Sequence, residues 1–407
     1  MPVPQAQPAP PAATAPAPAP PRKSPWRTAG EILAVLAITG VLVGVLLEIS
    51  LRLFAPQISS PIPGLFVADA ATRYRLKPNV RIPYHFGDIN TVYTTNDQGL
   101  REDHTIGAPA PGSTRLLFLG DSFTFGSGVD LDQAFAHRLS GSTAADGSRI
   151  ESVDAGVPGY GTDNEAAWLQ TYGWALQPKI VLVGFFVGND VKDTMLGLDK
   201  TMVDDQGRLV ETPQTRQVLD RQASTGLKGW LEQNSHAYVF LRNLAYKVTG
   251  RQNKPAPADP AAGLFTGGPY EAITFLRKDP PPEVAAGWDK VTGLLDSMRA
   301  AATAHGATLV VVAIPTREQV QDADWATMLQ QLGTPESTLT RDLPQQQLAA
   351  WSARTGAPLI DLLPAFRAAA QTQPLYFRTD PHCNAAGHAL AAQIIQDGLV
   401  HLGLFRR

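Results

Sequence analysis

Short runs of apolar residues recur in the second part of the chain and alternate with stretches that have helical periodicity. The runs lie at residues 116–119, 150–155, 180–187, 308–314 and 359–362. Apolar runs without polar alternation are typical of strands buried on both faces, as in a parallel sheet covered by helices. Residues 164–176 and 283–305 have the length and periodicity of such helices. The pattern predicts a three-layer α/β/α domain of the flavodoxin-like type with a parallel central sheet.

The longest apolar run lies near the N-terminus. Residues 32–47 contain no charged side chain, and Glu31 and Glu48 bracket them. With its flanks the run reaches about 20 residues, the length that crosses a bilayer. We therefore expect a transmembrane anchor at residues 29–50. A buried core helix and a cleaved signal peptide remain as alternatives, although no convincing small-x-small cleavage site follows.

Basic residues favour one orientation of this span. Arg22, Lys23 and Arg27 precede it, and positive flanks favour the cytoplasmic side. We expect a single-pass membrane protein whose folded domain lies outside the cytoplasm, on the periplasmic or extracellular face. Further basic residues follow the span and make this signal imperfect: Arg52, Arg73, Arg75 and Lys77.

The rest of the chain divides by composition. Residues 1–28 are rich in Pro and Ala and cannot bury enough apolar surface to fold, so a disordered tail is expected. Residues 57–112 predict an extended preamble, with a strand at 90–95 and a turn at 96–99. The main domain is expected to cover residues 113–407.

A long polar insert interrupts the alternation of strands and helices. It covers about residues 191–282, has a helical centre near 215–248 and contains a Pro-rich stretch at 253–260. Two interpretations stay open. The apolar positions of the insert pack on the domain, or the insert forms a lid over a binding site.

Composition narrows the class of protein. A formal net charge of −3 gives no reason to expect nucleic acid as a partner. Hydrophobic residues make up 44% of the chain, enough for a large core. The single cysteine, Cys383, excludes a disulfide within the chain.

Polar and glycine-rich motifs follow the first three predicted strands. Ser122 stands in the motif Gly-Asp-Ser-Phe at 120–123, Gly156 and Gly159 follow the second strand, and Asn189 follows the third. A serine there begins the next helix, where backbone N–H groups can stabilise an oxyanion, and an asparagine amide can do the same. Glycines let the backbone approach a ligand closely. Each motif alone is equally compatible with a helix cap or a turn.

An acid–base pair lies near the C-terminus. A serine hydroxyl needs a base to become nucleophilic, and His382 could accept the proton of Ser122 while Asp380 fixes the imidazole tautomer. A metal site built from His382, Cys383 and His388 is the alternative, but its spacing fits no common zinc pattern. We expect no metal, and we expect His388 on a helix surface or in the core.

Together these motifs resemble the SGNH hydrolases, also called GDSL-type lipases and esterases, over about residues 114–190 and 376–395. The resemblance implies Ser122 as nucleophile and Asp380 and His382 as its partners in the catalytic triad. The family usually places the aspartate three residues before the histidine, whereas here the spacing is Asp-x-His. Some SGNH-like O-acetyltransferases of exopolysaccharide assembly share this spacing.

The resemblance also implies an oxyanion hole formed by the N–H groups of Ser122 and Gly159 and the side chain of Asn189, with Gly156 as the alternative glycine. It implies hydrolysis of an ester, in an acylated polysaccharide or a lipid, through an acyl-serine and without a metal or organic cofactor. O-acyl transfer to an exopolysaccharide is one alternative function. A catalytically silent carbohydrate-binding protein is the other.

Overall fold

A computed structural model describes residues 25–54, 62–218, 227, 230, 231, 234–249 and 271–406. The chain divides into two compact units, Met1–Ser50 and Leu51–Arg407. The predicted tail at 1–24 and the Pro-rich stretch at 253–260 lie outside the described residues.

The first helix, α1, runs from Pro25 to Phe54 and extends beyond the predicted span at both ends. Residues 25–28, predicted to belong to the disordered tail, form its first turn. Proline is tolerated there because the first helical N–H groups have no partner within the helix. An 18-residue window within Ala29–Phe54 has a mean hydropathy of 2.7 and no buried residue. By length and composition, α1 fits a membrane anchor or a signal sequence.

The preamble forms two antiparallel hairpins, β1–β2 and β3–β4. Their strands are Phe66–Asp69, Arg73–Leu76, Arg81–Phe86 and Ile89–Thr94. The expected turn follows β4, where the Asn96 side chain accepts hydrogen bonds from the N–H groups of Gln98 and Leu100, both at 2.9 Å. The preamble is no separate extension, because Leu65, Tyr74 and Tyr93 are at most 1% exposed within the main core.

The central sheet has five parallel strands in the order β11-β10-β7-β5-β6. These strands are β5 (Ser113–Gly120), β6 (Arg149–Asp154), β7 (Ile180–Phe186), β10 (Thr308–Ile314) and β11 (Leu359–Asp361), and the numbering includes a hairpin of β8 (Thr201–Val203) and β9 (Leu209–Glu211). In chain order the core strands are arranged 2-1-3-4-5, the flavodoxin-like order. The predicted fold class is confirmed.

The remaining helices lie between and after the strands. They are α2 (Ser122–Phe125), α3 (Phe135–Arg138), α4 (Thr162–Thr171), α5 (Asp190–Leu196), α6 (Pro213–Val218), α7 (His236–Thr249), α8 (Pro282–Ala304), α9 (Arg317–Val320), α10 (Asp322–Leu332), α11 (Leu343–Thr355), α12 (Leu363–Ala369) and α13 (Ala385–His401). The helix expected at 164–176 ends at Thr171 and is followed by a 3₁₀ turn, Gly173–Leu176. Gly173 leaves room for Leu169, whose Cδ1 would lie 2.7 Å from an added Cβ.

Both faces of the sheet are buried, which explains the unbroken apolar runs. Leu117 and Leu119 of β5 face a core formed with α4, α5, α8 and α11. Leu116 and Phe118 face the opposite core, formed with α3, α12 and α13. Successive side chains of a strand point to opposite faces, so apolar residues are needed on both sides of the central strands. The sheet and the helices on its two faces therefore form the three predicted layers.

The insert is described only in part, and much of its predicted helical centre at 215–248 lies outside the described residues. Its described part contains α5, the β8–β9 hairpin, α6 and α7. In the hairpin turn, Asp204 accepts hydrogen bonds from the N–H groups of Gln206 and Arg208, and Gly207 has φ +69. These turn residues between two short apolar stretches were a usable hairpin signal.

Candidate functional site

The segment that carries Ser122 is a tight junction between a strand and a helix. Strand β5 ends at Gly120 and α2 begins at Ser122, while the Asp121 side chain accepts a hydrogen bond from the N–H of Phe123 at 2.8 Å. A Cβ on Gly120 would lie 2.1 Å from Thr124 Oγ1. Only glycine therefore lets the chain turn back closely enough to present Ser122 beyond the strand end.

The structure brings three predicted residues together from distant parts of the chain. His382 Nε2 lies 2.7 Å from Ser122 Oγ. His382 Nδ1 lies 2.5 Å from Asp380 Oδ1, and the same oxygen accepts the backbone N–H of His382 at 2.9 Å. If Nδ1 donates to the carboxylate, Nε2 is left to accept the serine proton. This is the arrangement that converts a hydroxyl into a nucleophile.

Asp380 is held in its ionised form. Burial alone would raise the pKa of Asp380, but its hydrogen bonds with His382 and the charge that His382 can carry outweigh burial and place the pKa below the usual 3.8. Asp380 is therefore a carboxylate at neutral pH and can stabilise a positive charge on the imidazole. The His382 ring also packs against Phe123, with ring centroids 4.8 Å apart.

The loop that carries the acid–base pair is fastened to α13. Asn384 caps this helix, because its side chain accepts hydrogen bonds from the N–H groups of Ala386 and Gly387 at 2.9 and 3.0 Å. The N–H of Phe377 donates to the carbonyl of His382 at 3.0 Å. Asp380 and His382 thus lie only four and two residues before the cap Asn384, which restricts their positions.

Cys383 and His388 belong to the core instead of to the site around Ser122. Cys383 is buried, and burial raises the pKa of its thiol. The Nδ1 of His388 accepts the N–H of Phe135 at 3.3 Å, and its ring stacks on Phe135. Burial lowers the pKa of His388 to about 3, so the ring is neutral. His388 therefore lies in the core, one of its two expected locations.

The expected oxyanion donors follow β6 and β7, the neighbours of β5. Asn189 Nδ2 donates to Asp121 Oδ2 at 3.2 Å, which leaves its second hydrogen for a ligand. The N–H of Gly156 already donates to Asp154 Oδ1 at 2.8 Å. Gly159 has φ +84, and among the described residues its N–H has no such partner. The hydrogen bonding therefore favours Gly159 over Gly156 as a donor.

Buried carboxyl groups beneath the site were missed by the sequence reasoning. Asp121, Glu165 and Asp190 are each 0% exposed. Burial raises the pKa of Asp121 to about 6 and the pKa values of Glu165 and Asp190 well above their usual range. Burial therefore shifts all three carboxyl groups towards their protonated forms. Glu165 lies in α4 among other polar residues, so the sequence pattern gives no signal of its burial.

Comparisons with known proteins agree with this geometry. The sequence profile of the GDSL-like Lipase/Acylhydrolase family matches residues 118–390. A search of curated protein sequences finds no match.

Several solved structures are similar to this chain. LAE5, an alpha/beta hydrolase enzyme from the metagenome of Lake Arreo, Spain, is 15% identical, covers 73% of this chain and 98% of its own, and has a TM-score of 0.37. A variant of Axe2, an acetyl-xylooligosaccharide esterase from Geobacillus stearothermophilus, is 13% identical over 73% and 96% of the chains, with a TM-score of 0.37. TesA is 14% identical over 71% and 99%, with a TM-score of 0.36.

Proposed function

The chain belongs to the GDSL-like lipase/acylhydrolase family and is a carboxylic ester hydrolase, and we propose that it cleaves its ester through an acyl intermediate on Ser122. The observation that carries the proposal is the continuous chain of contacts from Ser122 Oγ through the His382 ring to Asp380, at 2.7 and 2.5 Å. Of the three groups, the serine hydroxyl is the one that can hold the acyl group, because the imidazole serves as its base.

In the proposed mechanism, His382 Nε2 takes the proton of Ser122 as Oγ attacks the ester carbonyl carbon. Asp380 stabilises the resulting imidazolium. The N–H groups of Ser122 and Gly159 and the Asn189 amide bind the oxyanion. His382 then gives its proton to the leaving alcohol. In the second half, His382 takes a proton from water as the water oxygen attacks the acyl carbon. His382 then returns this proton to Ser122 Oγ as the acid product leaves.

For the substrate, we infer an acyl ester of a glycan or lipid at the cell surface. The inference rests on the apolar helix α1, which would hold the enzyme at a membrane. A panel of 4-nitrophenyl esters from acetyl to palmitoyl, followed by acetylated xylooligosaccharides and a phospholipid, tests it. Turnover of the acetyl ester and the acetylated glycan would identify a glycan esterase. Preference for palmitoyl and phospholipid would identify a lipase.

One observation favours acyl transfer as a second candidate function. The Asp-x-His spacing of Asp380 and His382 is the one found in some SGNH-like O-acetyltransferases, and here it still gives the 2.5 Å contact. The same residues would form the acyl-serine, and a sugar hydroxyl would replace water as its acceptor. Incubating the enzyme with an acetyl donor and a polysaccharide, while following acetate release and sugar acetylation together, separates the two.

For location, we propose that α1 is an uncleaved anchor with the hydrolase domain outside the cytoplasm. The basic residues before the span support this orientation. A reporter that functions only in the cytoplasm, fused after the C-terminus, should stay silent. A functional reporter would show that the orientation is wrong, and a membrane-free mature protein would show a cleaved signal sequence.

A further inference from the structure

The β3–β4 hairpin is fixed to the segment that follows Ser122. Tyr93 of β4 is 1% exposed, and its hydroxyl accepts the N–H of Gly128 at 2.9 Å. Its ring packs on Phe125 of α2 with centroids 5.2 Å apart. Thr91 of the same strand donates to the Asp130 side chain at 2.8 Å. The body of the hairpin therefore moves with the nucleophile's helix.

The tip of the same hairpin holds the acid–base loop. Asp88 Oδ2 accepts the N–H of Arg378 at 2.8 Å. Asp88 Oδ1 accepts the N–H of Thr379 at 3.1 Å and a short hydrogen bond from its hydroxyl. Thr379 directly precedes Asp380. The Asp88 carboxylate thus binds the backbone of the two residues that precede Asp380. In the sequence, Asp88 and Arg378 are 290 residues apart.

The turn at the tip is shaped for this contact. Gly87 and Asp88 form a two-residue connection between β3 and β4, and Gly87 has φ +56. Glycine at the first position is typical of tight hairpin turns. A Cβ at residue 87 would lie 2.0 Å from Thr379 Oγ1, so any larger residue would push the loop away.

We propose that the β3–β4 hairpin is a strap that sets the distance between Ser122 and His382, with Asp88 as the positioning residue for the acid–base loop. This inference rests on the proposed triad. Catalytic groups must be held within about 0.5 Å of their productive geometry, and a misplacement of about 1 Å can cost roughly 10²-fold in rate. The strap connects the segment that follows Ser122 with the loop that carries Asp380 and His382, and the catalytic geometry depends on the distance between these two parts.

The test replaces each partner of the contact in the full chain. Asp88→Ala is expected to lower kcat by about 10- to 100-fold while KM changes less than about threefold, because the strap touches the loop and leaves the substrate contacts in place. Thr379→Val removes the hydroxyl at nearly constant shape and should lower kcat in the same direction. Thr379→Ser restores the hydroxyl and should recover most of the activity.

Asp204→Ala is the matched control. Asp204 also sits in a hairpin turn and accepts several hydrogen bonds, but they come from Gln206 and Arg208 of its own turn. It should leave kcat unchanged. The double variant of Asp88→Ala and Thr379→Val should cost little more than the worse single change, since both break one contact.

A spectroscopic readout separates positioning from general destabilisation. The proton between His382 Nδ1 and Asp380 gives a far-downfield NMR resonance, which should shift or broaden in Asp88→Ala and stay as in the wild type in Asp204→Ala. A folded Asp88→Ala or Thr379→Val enzyme with wild-type kcat and an unchanged resonance would overturn the strap alone. If the wild type itself fails to hydrolyse esters or to react with a fluorophosphonate at Ser122, the proposed function falls instead.

Discussion

Glu102 is an acidic residue buried where the sequence suggested only an extended preamble. It is 1% exposed, and its side chain accepts the N–H of Asp154 at 2.8 Å. Burial, aided by the nearby Asp154 carboxyl, raises the pKa of Glu102 to about 9 against an ordinary 4.5. The side chain is therefore protonated at neutral pH, although the positive charge of the preceding residue, Arg101, partly opposes the shift.

This shift predicts a pH dependence of stability. Above pH 4.5 the unfolded chain loses the Glu102 proton while the folded chain keeps it, so this group's contribution to the free energy of unfolding falls as pH rises towards 9. Glu102→Gln can accept the same hydrogen bond without titrating. Urea unfolding between pH 5 and 9 should show a flatter profile for the variant, which gains relative stability at alkaline pH. Parallel profiles for both proteins would contradict the assignment.

Asn189 tests the oxyanion hole at the level of a single amide. Asn189→Ala removes one donor and is expected to lower kcat by about 10²–10³. Asn189→Asp keeps the shape but replaces the donor by an acceptor close to Asp121, so its loss should be at least as large. The measurement is steady-state kinetics on folded proteins, with circular dichroism as the control for structure. Activity within threefold of wild type in both variants would remove Asn189 from the hole.

At the scale of elements, the preamble was the least expected part of the fold. The strand at 90–95 and the turn at 96–99 were foreseeable from the sequence, but the two hairpins and their role were not. The contact between Asp88 and Thr379 spans 291 residues, and no local pattern encodes such a pairing. The β8–β9 hairpin, by contrast, lies in the polar part of the insert before the predicted helical centre, and Gly207 is a local turn signal for it.

Two truncations test separately what the anchor and the preamble contribute to folding and activity. A chain lacking residues 1–54 should be soluble and retain the wild-type kcat/KM. A chain that begins at residue 113 should be insoluble, because Leu65, Tyr74, Leu76 and Tyr93 are at most 1% exposed in the main core. Each such side chain contributes about 1.5–3 kcal/mol, and a domain has a total stability of only about 5–15 kcal/mol. Soluble yield and turnover measure the outcome; an active chain from residue 113 would contradict it.

For the whole molecule, the order of the sheet places the site. β5 lies between β6 and β7, where the order of the strands reverses, and ligands of open α/β sheets bind beyond the carboxyl ends of the strands at such a point. Ser122 and Asn189 follow β5 and β7 at this point. The position of these residues at the strand ends was predictable, because the parallel strands appear in the sequence as apolar runs and polar motifs follow them.

The remaining features depend on three-dimensional packing. The raised pKa of Glu165 follows from complete burial, which its polar neighbours in α4 conceal. The hydrogen bond from the Gly156 N–H to Asp154 adds a reason to prefer Gly159 that the sequence motif alone does not supply. The resemblance to a known family predicts that Asp380 and His382 lie beside Ser122. The distances between these three side chains follow only from the structure. The sequence thus indicated the chemical groups of the site but not the contacts that hold them in position.

The most direct test of the account is the reaction of purified protein with a fluorophosphonate, read by mass spectrometry alongside ester turnover. The account predicts one label on Ser122 in the wild type, and a folded Ser122→Ala protein that carries no label and turns over ester near background. His382→Ala should be almost as inactive, and the double change little worse than either. A folded Ser122→Ala protein that hydrolyses the ester at the wild-type rate would contradict the assignment of this site.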